Sequence, residues 1–278
     1  MIATNGEREV SENSPRRQAR AGELPFRRAM ATADRFGMRA LRSLLFVLLA
    51  PLAGCLEMEQ TVTIAADGSG TQQLKMGIRE STLNDLVRAS SAAQLGAAPN
   101  PKALFDKDLA GAELKEAGMV LSAHTSKLEA GKRTLDLTAT FPNFAALQKT
   151  PLCGSMAEWV LTAGPKEGTA KLTLYPQGKT AWQEARAKAE SMSKEPDAVA
   201  AAFFQKKQEQ LTGLDLTVRF QLPGDVLLWT ANMEKTGDRE VTARITAEQI
   251  KTPQDLVRRL APRFEVVFDA KGCKLPLQ

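Results

Sequence analysis

Alternating apolar and polar residues predict a β-hairpin shortly after residue 55. Along residues 57–64, Met58, Gln60, Val62 and Ile64 fall on one side, and Glu and Thr fall on the other. A second alternating run covers residues 71–78, with Asp-Gly-Ser-Gly at positions 67–70 between the two runs. Period two is the side-chain spacing of a strand, and a Gly-rich link between two such runs is typical of a hairpin. We expect the Asp and Gly residues to serve the turn.

The remaining pattern switches several times between strand and helix spacing. It predicts strands at residues 119–128, 133–141, 159–162, 169–175, 214–221, 226–232, 240–245 and 264–268, and helices at 81–95, 102–117, 142–149, 180–194, 196–211 and 254–260. Strict strand–helix alternation is absent, so a parallel doubly wound sheet is not expected. We predict an α+β fold with a mainly antiparallel sheet built from hairpins with inserted helices. Both halves share a hairpin-then-helix plan, which leaves an internal duplication open.

Residues typical of helix ends indicate where three of these helices begin or end. Thr252 followed by Pro253 is an N-cap with proline at the first helical position. Thr180 and Gln183 have the spacing of a capping box. Gly118 is expected to end the helix that begins at residue 102.

A short apolar segment precedes the first hairpin. Basic residues at 39 and 42 lead into the apolar run 44–49, and Leu52-Ala53-Gly54-Cys55 follows. This arrangement resembles the lipobox of bacterial lipoproteins, which implies cleavage between Gly54 and Cys55 and lipidation of Cys55. The alternative is a transmembrane anchor, but residues 41–54 are shorter than the roughly 20 residues that a spanning helix needs.

The composition changes at the same place and indicates three regions. Residues 1–54 contain nine Arg and no Lys, whereas the rest contains ten Arg and eighteen Lys. We interpret residues 1–37 as a non-native or disordered N-terminal extension, with Met38 as the initiator. Residues 38–54 are then the lipoprotein signal peptide, and residues 55–278 the mature α+β domain.

Most of the overall net charge of +5 comes from residues 1–54. Before residue 55 there are nine basic and five acidic residues, and from residue 55 there are 28 basic and 27 acidic residues. A nucleic-acid-binding face needs a basic excess, so a nucleic-acid partner is not expected.

Two cysteines remain after Cys55. Cys153 and Cys273 form an even pair in an exported protein, which permits a disulfide between them. The alternative is two buried free thiols.

Few residues favour catalysis, and we expect no enzyme activity, no cofactor and no metal site. The single histidine, His124, lies in a predicted strand, where a surface role is the usual one. Ser191-Met192-Ser193-Lys194 and Lys235-Thr236-Gly237 match two short motifs of penicillin-recognising enzymes. The third motif of those enzymes is missing, and Lys235-Thr236-Gly237 falls where a hairpin turn is expected.

One apolar group has two interpretations. Val199, Phe203 and Phe204 lie on a predicted helix. We expect them to pack in the core, and the alternative is an apolar patch for a partner or a lipid.

Two segments carry a family resemblance. Cys55-Leu56-Glu57-Met58-Glu59-Gln60 with the Asp-Gly-Ser-Gly turn resembles a broad set of uncharacterised bacterial lipoproteins. Residues 220–226, from Phe to Val, with the strand 240–245, resemble the LppM-type lipoprotein domain of mycobacteria. That resemblance implies an α+β module of a type to which lipid or glycolipid binding has been attributed, and it assigns no site residues.

Three functions are compatible with these features. The leading hypothesis is a membrane-anchored cell-envelope lipoprotein that binds or scaffolds an envelope component, its partners being the membrane and an envelope protein or lipid. The runner-up is a carrier or sensor of a lipid or other apolar ligand, and an enzyme is third. A carrier requires a continuous apolar cavity, a scaffold a packed core, and an enzyme a polar cleft. Leu56 stands where enteric bacteria use Asp for inner-membrane retention, which favours the outer membrane.

Overall fold

The computed structural model describes residues 56–92, 102–192 and 198–277, and these residues form an α+β fold with mainly antiparallel sheets, as expected. The strands are β1 (Glu57–Ile64), β2 (Gly70–Arg79), β3 (Val120–Glu129), β4 (Lys132–Phe141), β5 (Glu158–Ala163), β6 (Thr169–Tyr175), β7 (Asp215–Gln221), β8 (Val226–Trp229), β9 (Glu234–Gly237), β10 (Glu240–Thr246) and β11 (Phe264–Asp269). The helices are α1 (Glu80–Ala92), α2 (Lys107–Glu116), α3 (Phe144–Leu147), α4 (Lys179–Ser191), α5 (Ala198–Gln210) and α6 (Pro253–Leu260).

The larger sheet has seven strands in the order β3-β4-β2-β1-β7-β10-β9. The hairpins β1–β2, β3–β4 and β9–β10 are antiparallel, and the alternating runs predicted the first two. The one parallel pair in this sheet joins β1 to β7 at its centre, with Met58 opposite Leu216 and Gln60 opposite Val218. This pair unites the early and late hairpins in one sheet.

The smaller sheet has four antiparallel strands in the order β5-β6-β11-β8. Its inner face packs on the larger sheet through one continuous group of buried side chains. Trp159 of β5 meets Phe220 of β7 edge to face, with ring centroids 5.8 Å apart. Alternation explains this packing, because every second residue of each strand faces the opposite sheet.

The turn between β1 and β2 is built as its composition predicted. Gly68 has a φ of 82°, in the left-handed region that glycine tolerates best. The Asp67 carboxylate accepts hydrogen bonds from the Ser69 hydroxyl at 2.6 Å and the Ser69 N–H at 3.0 Å. These bonds hold the pKa of Asp67 below its usual range. A Cβ on Gly70 would lie 1.9 Å from the Thr63 carbonyl oxygen, so only glycine fits there.

Three segments differ from the prediction. The helix expected over residues 102–117 is divided by Asp106, which is extended and whose carboxylate accepts from the N–H groups of Asp108 and Leu109. A 3₁₀ turn precedes Asp106 and α2 follows it. Gly118, with a φ of 77°, ends α2 as expected.

The second difference is the start of α4, where the expected capping box is wrong. The helix begins at Lys179 after Gly178, which has no side chain to cap it. The Glu158 carboxylate on β5 accepts from the Lys179 N–H at 3.0 Å instead. A tertiary contact therefore replaces the local cap.

The third difference lies at residues 226–232, which do not form one strand. β8 ends at Trp229 in the smaller sheet, and the chain then enters the larger sheet as β9. Lys235-Thr236-Gly237 therefore lies in a strand, not in the expected turn.

Candidate functional site

An apolar cavity of about 340 Å³ lies on the inner face of the larger sheet, beside the start of β1. Three adjacent strands form its floor through residues of alternating position. Met58 on β1 lies opposite Leu216 on β7, which lies opposite Ile245 on β10. Val218 and Ala243 form the next row of the floor. The spacing of two residues along each strand thus gives a continuous apolar surface.

The roof of the cavity comes from chain segments that follow α5 and β10. Leu211 and Leu214 lie between α5 and β7, Ile250 precedes α6, and Leu256 and Leu260 lie on α6 itself. Leu211, Leu214, Ile250 and Leu256 form a small buried cluster separate from the main core between the sheets.

The cavity is lined by residues of both buried clusters. Leu56 and Leu216 contact both clusters, and both line the cavity. Ligand sites in proteins are concave, mostly apolar and about 300–1,000 Å³ in volume, so this cavity has the dimensions of a small ligand site.

A polar network borders the inner part of the cavity. The Gln60 side-chain amide donates to Cys153 Sγ at 3.0 Å, and the Gln72 amide donates to the same sulfur at 3.3 Å. The Thr150 hydroxyl donates to Gln72 Oε1 at 2.6 Å. Gln60, Gln72 and Thr150 are all buried. Gln60 and Cys153 line the cavity, so they are the polar groups that an inserted ligand would meet there.

Burial raises the pKa of the Cys153 thiol to about 11, against the opposing effect of the hydrogen bonds from Gln60 and Gln72. The thiol is therefore protonated at neutral pH. Because the thiolate is the nucleophilic form, Cys153 is poorly suited to covalent catalysis.

Two further polar residues line the cavity, Gln177 and Arg259. Of the described residues that line the cavity, Arg259 alone is charged, and it is half-buried in the last turn of α6. Its neighbour Arg258 is exposed and does not line the cavity. Among the described residues, Arg259 forms no ion pair with an Asp or Glu.

The residues predicted for lipidation and cleavage, Cys55 and Gly54, lie outside the described residues. The first described residue, Leu56, lines the cavity, and its carbonyl accepts from the Asp215 N–H at 3.0 Å. The chain therefore enters the described fold at the cavity. This position was not foreseen from the sequence.

Cys153 and Cys273 are free thiols in the structure. Cys153 contacts the glutamine amides beside the cavity, whereas Cys273 lies in the segment after β11, where its N–H donates to the Ala270 carbonyl. The disulfide between them stays a prediction.

His124 is half-buried on β3, and its Nε2 donates to the Leu104 carbonyl at 2.9 Å. This bond ties the edge strand to the 3₁₀ turn before α2, which is a structural role. His124 does not line the cavity.

The two motifs shared with penicillin-recognising enzymes do not meet at the cavity. Ser191 donates to the Lys188 carbonyl at 2.9 Å, and Lys194 lies outside the described residues. On β9, Lys235 donates to the Val226 carbonyl and Thr236 to the Glu240 carboxylate. None of these residues lines the cavity.

Core packing of the apolar residues on α5 was predicted, and for two of them this is wrong. Val199 is 80% exposed and Phe203 is 57% exposed. Lys207 lies over the Phe203 ring at 5.4 Å. Phe204 alone packs against the small buried cluster. Consecutive residues of a helix point in different directions, so Phe204 can face the small buried cluster while Phe203 faces solvent.

Two further findings concern metal binding and membrane crossing. Within the described ranges, no group of three or more His, Cys, Asp and Glu side chains is placed to hold a metal ion. No helix in the same ranges is long and apolar enough to cross a membrane.

The comparisons with known proteins yield a weak structural likeness. No protein-family model matches the chain, and no curated protein matches it. One matching solved structure is the NMR structure of the Mycobacterium tuberculosis LppM folded domain, with 9% identity and a TM-score of 0.37. The match covers 78% of this chain and 91% of that chain.

Proposed function

We propose that this protein is a lipid-anchored lipoprotein of the cell envelope that binds one apolar ligand in the cavity, as a carrier or a sensor. The cavity is the observation that supports binding, because its floor and roof are apolar and continuous. The sequence placed a scaffold and an apolar-ligand carrier in that order, and the cavity favours the carrier.

The energetics of the cavity favour an elongated hydrocarbon. Burying one methylene group contributes about 0.8 kcal/mol, which corresponds to roughly fourfold in affinity. From Leu56, directly before β1, to Gln60 the lining extends over four residue steps, or about 13 Å at the rise of a strand. Affinity is therefore expected to rise with chain length until the cavity is filled.

The proposed anchor would hold the cavity close to its source of ligand. Leu56 lines the cavity and follows Cys55 directly in the chain. A lipid on Cys55 would keep the cavity near the bilayer surface. This arrangement supports exchange of a membrane lipid with the cavity.

Photo-crosslinking tests the binding site in the full chain. Envelopes that contain the protein are incubated with a fatty acid that carries a diazirine and an alkyne, irradiated, and the labelled peptides are mapped by mass spectrometry. We expect labels on residues 214–218 and 243–245. Ala243→Leu should reduce labelling at least fivefold, because its larger side chain enters the cavity. Thr242→Leu, on the opposite face of β10, is the matched control and should leave labelling unchanged.

Two results would contradict the proposal. Equal labelling of wild type and Ala243→Leu would show that the probe binds elsewhere. Labels confined to exposed residues of α5 would show nonspecific contact. A pull-down from the same envelopes tests the scaffold: a stoichiometric protein partner together with an unlabelled cavity would favour that function.

The anchor is tested separately with alkyne-palmitate fed to the expressing cells. Wild type should incorporate the label and Cys55→Ser should not. Label on Cys55→Ser would contradict lipidation at this residue.

A further inference from the structure

We propose that the ligand is a single acyl chain with an anionic head group and that Arg259 binds this head group. This inference rests on the proposed function and adds the ligand class to it. The proposed ligand of the cavity is thus an anionic single-chain lipid.

The placement of Arg259 supports an anionic head group. Arg259 is half-buried, and the other described residues that line the cavity are uncharged. The carboxylate one turn earlier on α6, that of Asp255, accepts from the N–H groups of Lys251 and Thr252 at 3.2 and 3.0 Å. The Asp255 carboxylate therefore binds backbone N–H groups at the start of the helix. Within the described residues, Arg259 forms no ion pair.

Arg259 thus has no carboxylate partner among the described residues, beside a largely apolar lining. A carboxylate or phosphate of a ligand would supply an anionic partner, since the planar guanidinium binds both groups in a bidentate way. Gln177 also lines the cavity and adds a side-chain amide that donates to anionic oxygens.

A role at the helix end alone is the competing explanation for Arg259. Cations in the last turn of a helix interact favourably with its dipole, and Arg258 and Arg259 both lie in that turn. Only Arg259 lines the cavity. Arg258 is therefore the matched control, because it shares the helix position and lacks the cavity contact.

The experiment compares two photoreactive probes of equal chain length in envelopes containing the full chain. One probe is a palmitic acid and the other is the corresponding neutral alcohol. Arg259→Gln should weaken labelling by the acid about tenfold, the size expected for loss of a charge-assisted hydrogen bond, and leave labelling by the alcohol unchanged. Arg258→Gln should leave labelling by both probes unchanged. Retained labelling by the alcohol also shows that each variant is folded.

Competition identifies the head group. Excess lysophosphatidic acid and excess palmitate are each added against the acid probe, so that displacement at lower concentration distinguishes phosphate from carboxylate. Displacement by either one supports the inference, and displacement by palmityl alcohol to the same degree overturns it.

The outcomes separate this inference from the proposed function. Equal labelling of the cavity by acid and alcohol in the wild type, or equal losses in Arg258→Gln and Arg259→Gln, would overturn the role of Arg259 and leave apolar binding intact. Absence of cavity labels with both probes would overturn the proposed function itself.

Discussion

Gln60, Gln72 and Thr150 are buried polar side chains among apolar neighbours, and their hydrogen bonds converge on one another and on Cys153. A buried polar group is tolerated only with partners, because an unmade hydrogen bond there costs about 1–3 kcal/mol. The residues come from β1, β2 and the segment before β5. At the scale of single residues, this network joins the sheet to the wall of the cavity.

The raised pKa of Cys153 predicts a pH dependence of stability. Its folded-state pKa of about 11 exceeds the ordinary value of 9.0, so the folded state holds the proton more tightly. The contribution to the free energy of unfolding is therefore full below pH 9 and is lost as the pH rises toward 11. A shift of this size corresponds to at most about 2–3 kcal/mol. Urea unfolding of wild type and Cys153→Ala at pH 8.5–11 measures it.

Cys273→Ala is the control and should retain the slope of the wild type, because its side chain is outside the network. Equal pH slopes in wild type and Cys153→Ala would contradict a raised pKa of this thiol in the folded state.

At the scale of elements, α6 is a short helix with two separate functions. Leu256 and Leu260 close the cavity, and Arg259 gives the cavity its charge. Its start is fixed locally, as predicted: the Thr252 hydroxyl accepts from the Asp255 N–H at 3.1 Å, and Pro253 takes the first helical position. Its position against the sheet depends on packing, which includes contacts with α4.

Removing the cap of α6 should destabilise the protein measurably. Thr252→Ala loses the oxygen that accepts from Asp255, which typically costs about 1 kcal/mol. Thr252→Ser keeps that oxygen and should stay within about 0.5 kcal/mol of wild type. The free energies of unfolding are compared in urea. A loss in the Ser variant equal to that in the Ala variant would mean that the methyl group, not the hydroxyl, matters.

At the scale of the whole molecule, the parallel β1–β7 pair holds the larger sheet together. β1 carries β2, β4 and β3 on one side, and β7 carries β10 and β9 on the other. The cavity floor crosses this junction, since Met58 belongs to one side and Leu216 and Ile245 to the other. Binding in the cavity therefore contacts both parts of the sheet at once.

Hydrogen exchange of the full chain, followed by mass spectrometry, tests this arrangement. Amides of β1 and β7 should exchange slowly, because each strand is paired on both sides and buried on one face. Amides of the edge strands β3 and β9 should exchange faster, since β3 is mostly exposed and β9 fully so. Fast exchange of β7 together with slow exchange of β9 would contradict the parallel pair.

The sequence by itself determined most of the elements and their local ends. Period-two alternation identifies the hairpins because side chains of a strand alternate between faces, and Thr252 and Gly118 mark helix ends through backbone hydrogen bonds within a few residues. The lipobox resemblance at Cys55 is likewise a local signal, and it stays a prediction.

Only the tertiary structure decided which elements meet. The β1–β7 pairing, the Glu158 cap of α4 and the cavity each join residues far apart in the chain, and no short-range pattern encodes such contacts. Alternation in the sequence assigns Gln60 to the same face of β1 as Met58. The hydrogen bond from Gln60 to Cys153 could not be predicted from the sequence. Arg259 resembles Arg258 in sequence, and the two differ only because packing turns one of them toward an apolar cavity.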